Sequence, residues 1–513
     1  MPAEREFNRY GRLMRTFTTV YLSTVCFLLP LVFYRLYFDI TEAKHVFFMA
    51  ASVLYLLSVL MLQILSPDRL GIRGAGSPNP VVVCMLAFFA CSVVSALLSA
   101  HPQDVLLGQH NRYQGLLTVS VYTALVFALS RQSFNLRFAE AGLAAGGSIA
   151  GVLGVLNHFG VDPIGFTVNL TATDQGRFLS TIGNADFYGS FLCIAFPVTF
   201  GLFCRETSRR GRLLSAGALF AVSLGCMVAG SDSTALGLLA AALVFPLVLM
   251  CEKRPLQRYL AGWMLFACAA LLFGVVTPHL PSETYLSYFA VAISRTPVAL
   301  TVLLIFGAAL FALTRSAKWN PVRCRKRYLT VLLVSVSLCA VALVLLNTLL
   351  VDLPLGKAER YLRWSESWGT DRGKIWTYCV NLYASFSPAQ KLFGGGPGIL
   401  FYADQANRVF QDAALDTAHN EYLQYLLTTG ALGLTAYLSA LFFAIRSGIR
   451  SGKRHPVVRG FTVAAVAYAA QAAVNIAQPA STPLFFLLIG VLASASFRKN
   501  DPSGTVIELE RPI

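Results

Sequence analysis

In the stretch LDTAHNEYLQYLLTTGALGL, Leu415 to Leu434, His419 and Asn420 stand at the mouth of an apolar run, with Asp416, Thr417 and Glu421 crowded around them. The chemistry open to an imidazole there depends on its charge, because a neutral ring accepts a proton and a protonated one does not. The positive end of a helix dipole disfavours imidazolium and so favours a basic His419, whereas Glu421 in the same turn acts in the opposite sense. The residues alone leave the direction of the net shift open. Asn420 is the type of residue that caps or orients a turn, and Gly430 and Gly433 are placed to let helices pack closely. The plainer alternative for His419 is an interface histidine satisfied by a loop carbonyl.

The elements that would position these groups are membrane helices. The chain has 513 residues, 56% apolar and 13% charged, with a mean hydropathy of +0.61. Apolar runs of about 17 to 25 residues, the length that crosses a bilayer, recur fourteen times: 17–38, 45–65, 80–100, 116–130, 138–158, 187–204, 213–229, 233–251, 256–277, 297–314, 329–351, 419–445, 457–477 and 482–497. The fold class is therefore an all-α, polytopic integral membrane bundle. Residues 1–351 hold spans 1 to 11, 352–418 a large extracytoplasmic loop, 419–497 spans 12 to 14, and 498–513 a short cytoplasmic tail.

The net charge of +16 could suggest nucleic acid, but its distribution argues against that. With the N-terminus in the cytoplasm, the cytoplasmic segments and the span ends beside them hold 29 of the 41 lysines and arginines, and the opposite side has an excess of acids. This positive-inside bias gives a multi-pass protein of the cytoplasmic membrane with both termini inside. Clusters such as RETSRRGR and RCRKR are topology anchors, with acidic lipid headgroups as a secondary partner.

Eleven scattered cysteines, with no C-x-x-C pair, give neither a disulfide framework nor a zinc site. The first run is too long for a signal peptide and reads as a retained helix. Gly142-x-x-x-Gly146 and Gly147-x-x-x-Gly151 mark close helix packing. Ionisable residues keep to span ends, His158, Asp232 and His419 among them, so mid-membrane proton or ion pathways find little support. Chemistry is expected at the outer interface. The large loop carries Trp364, Trp368 and Trp376, and DRGKIWTYCVNLYASF within it has the spacing of an amphipathic helix on or in the outer leaflet, with Ile375, Trp376, Cys379, Val380 and Tyr383 on one side.

His419, Asn420, nine residues, Gly430, two residues and Gly433 form an H-N-x9-G-x-x-G pattern that resembles the signature of the O-antigen ligase and Wzy-type polymerase family. Other pieces follow in the family's order. HNRYQGLLT (His110 to Thr118) and GRFLSTIGNADFYGSF (Gly176 to Phe191) resemble two early motifs, with Ser180 and Asp186 as variants. DRGKIW and LFGGGPGILF resemble the start and middle of the family's external loop.

The resemblance implies a GT-C-like glycosyltransferase acting on the outer face, with no metal, cofactor or nucleotide sugar. It would move a saccharide from a polyprenyl diphosphate carrier to a glycan, lipid or protein acceptor. Such a reaction needs a base for the acceptor hydroxyl and cations for the diphosphate, so His419 would be the base and Arg372, near the start of the loop, the leading diphosphate ligand. Pairing of Arg372 with Asp371 is the bland alternative. Arg177 and Arg112 are weaker cationic candidates, and Gly396 lies in a turn whose amides could meet phosphate or sugar. One departure stands out: GSDSTALGL has Asp232 where many relatives carry an arginine, so diphosphate recognition is altered or supplied elsewhere, and Asp232 could instead meet sugar hydroxyls. The competing classes are a transporter or flippase of lipid-linked glycans and a non-catalytic homologue. Ligase and polymerase are not separable by these residues.

Overall fold

The computed structural model describes residues 2–65, 78–250, 252–316, 320–410 and 415–497; the expected tail 498–513 lies outside them. Helices occupy all fourteen apolar runs. They are α1 (Pro2–Leu28), α2 (Ile40–Leu65), α3 (Pro80–Leu97), α4 (Leu116–Arg131), α5 (Leu136–His158), α6 (Ala185–Arg205), α7 (Arg209–Met227), α8 (Asp232–Leu249), α9 (Lys253–Val276), α10 (Thr296–Arg315) and α11 (Pro321–Thr348). The large loop contributes α12 (Trp368–Ser385), α13 (Pro388–Phe393) and α14 (Ile399–Asn407), and the bundle closes with α15 (Glu421–Ser451), α16 (Val457–Ala472) and α17 (Thr482–Phe497). Among the described residues nine helices are long and apolar enough to cross a membrane, and α4, α16 and α17 are shorter apolar helices. The chain is an all-α polytopic membrane protein; a two-residue hairpin, β1 (Phe178–Leu179) with β2 (Gly183–Asn184), leads into α6.

Polar caps mark where these helices begin. Asn79, Asn135, Asn184, Ser208 and Asn320 each accept an amide from the first turn of the helix that follows, satisfying donors that lack an intrahelical partner. Short connections make consecutive helices antiparallel, so the N-terminal ends of α2, α4, α6, α8, α15 and α17 share one end of the bundle. The first run departs from expectation: the helix ends at Leu28 rather than reaching Phe38. Pro30 cannot extend the hydrogen-bond ladder, and the Lys44 ammonium collects the carbonyls of Leu29, Pro30 and Val32 at 3.0, 2.9 and 2.8 Å.

The core is centred on α6, which is buried along nearly its whole length and packs against α5, α7 and α16. At the opposite extreme α11 has no buried residue, and its valines and leucines form an outward apolar surface suited to lipid. The small-residue face of α5 fulfils its packing role, since a Cβ on Gly146 would meet the Phe27 carbonyl of α1 and one on Gly151 the Ala221 carbonyl of α7.

The large loop builds a satellite core of its own from Ile375, Cys379, Phe386, Leu400, Leu415, Ala418 and Leu427. The expected helix is there as α12, but its inner side serves this core, and Val380 is exposed. The loop is fastened to α15 through a break. Gly430 interrupts that helix at φ +70°, and a Cβ there would strike the Leu392 carbonyl of α13. Leu427 and Thr428 accept hydrogen bonds from the amides of Gly395 (2.9 Å) and Gly396 (3.3 Å), and the Ser95 hydroxyl also donates to Thr428. Backbone polar groups at membrane depth need such partners. Gly430 is thus more than a packing position, and the amides of Gly395 and Gly396 are engaged by α15 rather than open to phosphate or sugar.

Candidate active site

α15 begins at Glu421, with Asn420 as its cap accepting from the amides of Tyr422 (3.0 Å) and Leu423 (3.1 Å). His419 therefore precedes the helix, in a left-handed conformation at φ +47°, one that costs a non-glycine residue about 1 kcal/mol or more. Both backbone polar groups of the preceding residue, Ala418, are pinned. The Trp376 indole N–H of α12 donates to the Ala418 carbonyl at 3.0 Å, and the Ala418 amide donates to the Gln424 carboxamide at 2.9 Å. The loop core and the first turn of α15 together aim this ring.

Two arginine–aspartate pairs lie near enough to act on its charge. Arg112 Nε and a terminal guanidinium nitrogen lie 2.9 and 2.8 Å from one Asp416 oxygen. Arg372 reaches Asp186 at 3.9 Å and donates to the Gly369 carbonyl at 2.8 Å, while its buried Nε has no partner. The aspartate that answers Arg372 is thus Asp186 of α6 and not its neighbour Asp371. Burial lowers the His419 pKa from its ordinary value, Arg372 and Arg112 lower it further, and Asp186 and Asp416 oppose them; the net direction is downward. The lowered pKa favours the neutral ring. Glu421, expected to counter that shift, instead points into the bundle, where its carboxylate accepts from Tyr437 (2.6 Å) and Tyr468 (3.0 Å).

A partly open cavity of about 60 Å³ adjoins the ring, lined by His419, Asn420, Arg112, Asp416 and the uncharged amides of Gln109, Gln114 and Gln424. Arg177 is exposed and does not line it. Asp232 is exposed as well, accepting the Phe289 amide at 3.2 Å. Its neighbours Ser231 and Ser233 turn the other way. Ser231 donates to Asp186 at 2.5 Å, and Asn475 donates to both Ser233 and the Asp186 carbonyl.

Three contributors escaped sequence reasoning as site residues: Asp186, Asp416 and Trp376. Each had a signal. Asp186 occupies a variant position in an early motif, Asp416 lies three residues before His419, and Trp376 is on the side of α12 expected to be apolar. None of these signals names the partner, which comes from a distant segment.

Residues 284–438 match the family model described as O-antigen ligase. The match takes in Arg372, Gly396, His419, Asn420, Gly430 and Gly433, while Arg112, Arg177, Asp186 and Asp232 fall before it. Among curated proteins, none is significantly similar in sequence to the chain.

Proposed function

On the premise that residues 284–438 form an O-antigen ligase domain in a polytopic membrane protein, we propose that this chain is an outer-face glycosyltransferase that moves a saccharide from a polyprenyl diphosphate carrier to an acceptor hydroxyl. The observation that carries the reading is a histidine before the first turn of α15 with two arginine–aspartate pairs near enough to act on its charge, burial and the arginines lowering its pKa. His419 takes the proton of the acceptor hydroxyl as that oxygen attacks the anomeric carbon. The bond from that carbon to the diphosphate oxygen breaks, and the diphosphate leaves with the bonding electrons. Arg372 is suited to the developing charge because its Nε is buried without a partner, and a forked guanidinium matches phosphate oxygens. Arg112, which lines the cavity with His419, supplies a second cation.

In this reading the end carrying His419 faces outward and both termini face the cytoplasm, as the lysine and arginine distribution favours. Purified protein given a polyprenyl-diphosphate saccharide and an acceptor is expected to release polyprenyl diphosphate with formation of the glycosidic bond. Persistence of both donor and acceptor under every acceptor class would end the proposal. Mass analysis of carriers in a deletion strain separates the two subclasses: retained long carrier-linked chains mean ligase, and single-repeat carriers mean polymerase.

A further inference from the structure

Three of the five tryptophans fall within thirteen residues of the large loop, and the fold closes them into one cluster. Trp364 and Trp368 stack with ring centroids 5.7 Å apart, and each also touches Trp376, at 5.7 and 5.3 Å. Trp376 is the residue whose indole holds the Ala418 carbonyl beside His419. Trp364, at the other side of the cluster, is 51% exposed. An aromatic surface thus runs without a gap from solvent to the backbone of the proposed base.

We propose that Trp364 and Trp368 form a binding ledge for the saccharide chain carried on the donor, holding sugars beyond the one being transferred. The proposal rests on the glycosyltransferase reading above and adds the place where the glycan lies. A pyranose ring presents an apolar C–H face that a flat indole covers well, while its hydroxyls need polar partners at the rim. The rim has them: Ser365, Glu366 and Ser367 lie between the two indoles in sequence and are all exposed.

The alternative occupant is lipid, since tryptophan is common at membrane interfaces. The charge between the two indoles does not suit an anionic headgroup. Glu366 is an anion, and the nearby Arg363 has its donors committed to the carbonyls of Leu346, Leu350 and Leu353 at the end of α11. Continuity with His419 through Trp376 favours the glycan.

The test uses full-length protein in lipid nanodiscs, titrated with oligosaccharide released from the carrier by mild acid and read by tryptophan fluorescence. Trp364→Ala and Trp368→Ala are each expected to weaken binding by roughly tenfold, the size of one aromatic contact, with phenylalanine at either position restoring most of it. His419→Ala should bind the oligosaccharide as tightly as the parent. In the transfer assay the alanine variants should raise KM for long-chain donors and leave kcat near the parental value. Unchanged oligosaccharide affinity in the double alanine variant overturns the ledge, as does quenching of this cluster by brominated lipid with no response to oligosaccharide. Oligosaccharide binding that depends on both indoles, in a protein that transfers nothing, upholds the ledge and removes the glycosyltransferase reading.

Discussion

Asp186 and Arg372 face each other at 3.9 Å, tying the first turn of α6 to α12, and both act on His419 with opposite sign. The arginine depresses the imidazole pKa and the aspartate raises it. In the proposed reaction the pair would tune the base as well as offer a cation to the diphosphate, and the tuning can be measured.

With its pKa below the ordinary 6.5, His419 remains a base as the pH drops beneath 6.5, and activity is lost only as pH falls through the lowered value. The acid limb of kcat/KM should therefore sit below 6.5. Arg372→Gln removes a depressing charge and should move that limb upward, on top of weakened donor binding. Asp186→Asn removes an opposing charge and should move it downward. Shifts of the same sign in both variants would show that neither charge sets the His419 pKa.

Loss of the base itself should cost about 10²- to 10⁴-fold in transfer, the usual worth of general-base catalysis. His419→Ala is expected to fall within or below that range while melting like the parent. Because φ +47° is strained for any side chain, His419→Gly should be at least as stable and equally inactive. Transfer at the parental rate in either variant would remove the ring from the mechanism.

The bundle was legible because bilayer thickness is a length rule and the chain repeats it fourteen times. The histidine's place was legible because a helix mouth has a recognisable polar crowd. Partners were not. Nothing in the sequence around Arg372 distinguishes Asp371, its neighbour, from Asp186 on another helix, and only packing chooses between them. The same holds for Glu421, whose position in the turn suggested an influence on His419 but whose carboxylate is drawn away by Tyr437 and Tyr468. Gly430 and Gly433 look alike in sequence, yet one breaks α15 and the other continues it. The first helix ended early for a reason located fourteen residues beyond its last loop proline, in Lys44.

That difference between the two glycines predicts unequal substitutions. Gly430→Ala must hold φ +70° with ψ −176°, a region nearly reserved for glycine that costs about 1–3 kcal/mol, and must also push a methyl against the Leu392 carbonyl, where overpacking adds about 1–3 kcal/mol. At Gly433 the φ is helical and an added methyl would meet only side-chain atoms at close range, the Thr429 hydroxyl and, at 2.5 Å, the Thr429 Cβ, so the cost there is steric alone. Thermal melts should show Gly430→Ala clearly less stable than Gly433→Ala, with the transfer rate falling alongside because the loop that aims His419 is anchored at the break. A Gly430→Ala variant that melts like the parent would mean that the break does not anchor the loop.

Asp232 provides the sharpest contrast between motif and geometry. By position it stands where many members of the family it resembles carry an arginine, so a reading from the motif alone makes it decisive. In the fold it is exposed and accepts one amide, that of Phe289, while Ser231 beside it donates to Asp186. A surface hydrogen bond of that kind contributes about 1 kcal/mol or less net. Asp232→Asn should therefore leave transfer within about threefold of the parent, whereas Ser231→Ala should alter donor KM by releasing Asp186 toward Arg372. If Asp232→Asn instead abolished transfer and Ser231→Ala were silent, diphosphate recognition would have to be relocated from the Arg372 side of His419 to the start of α8.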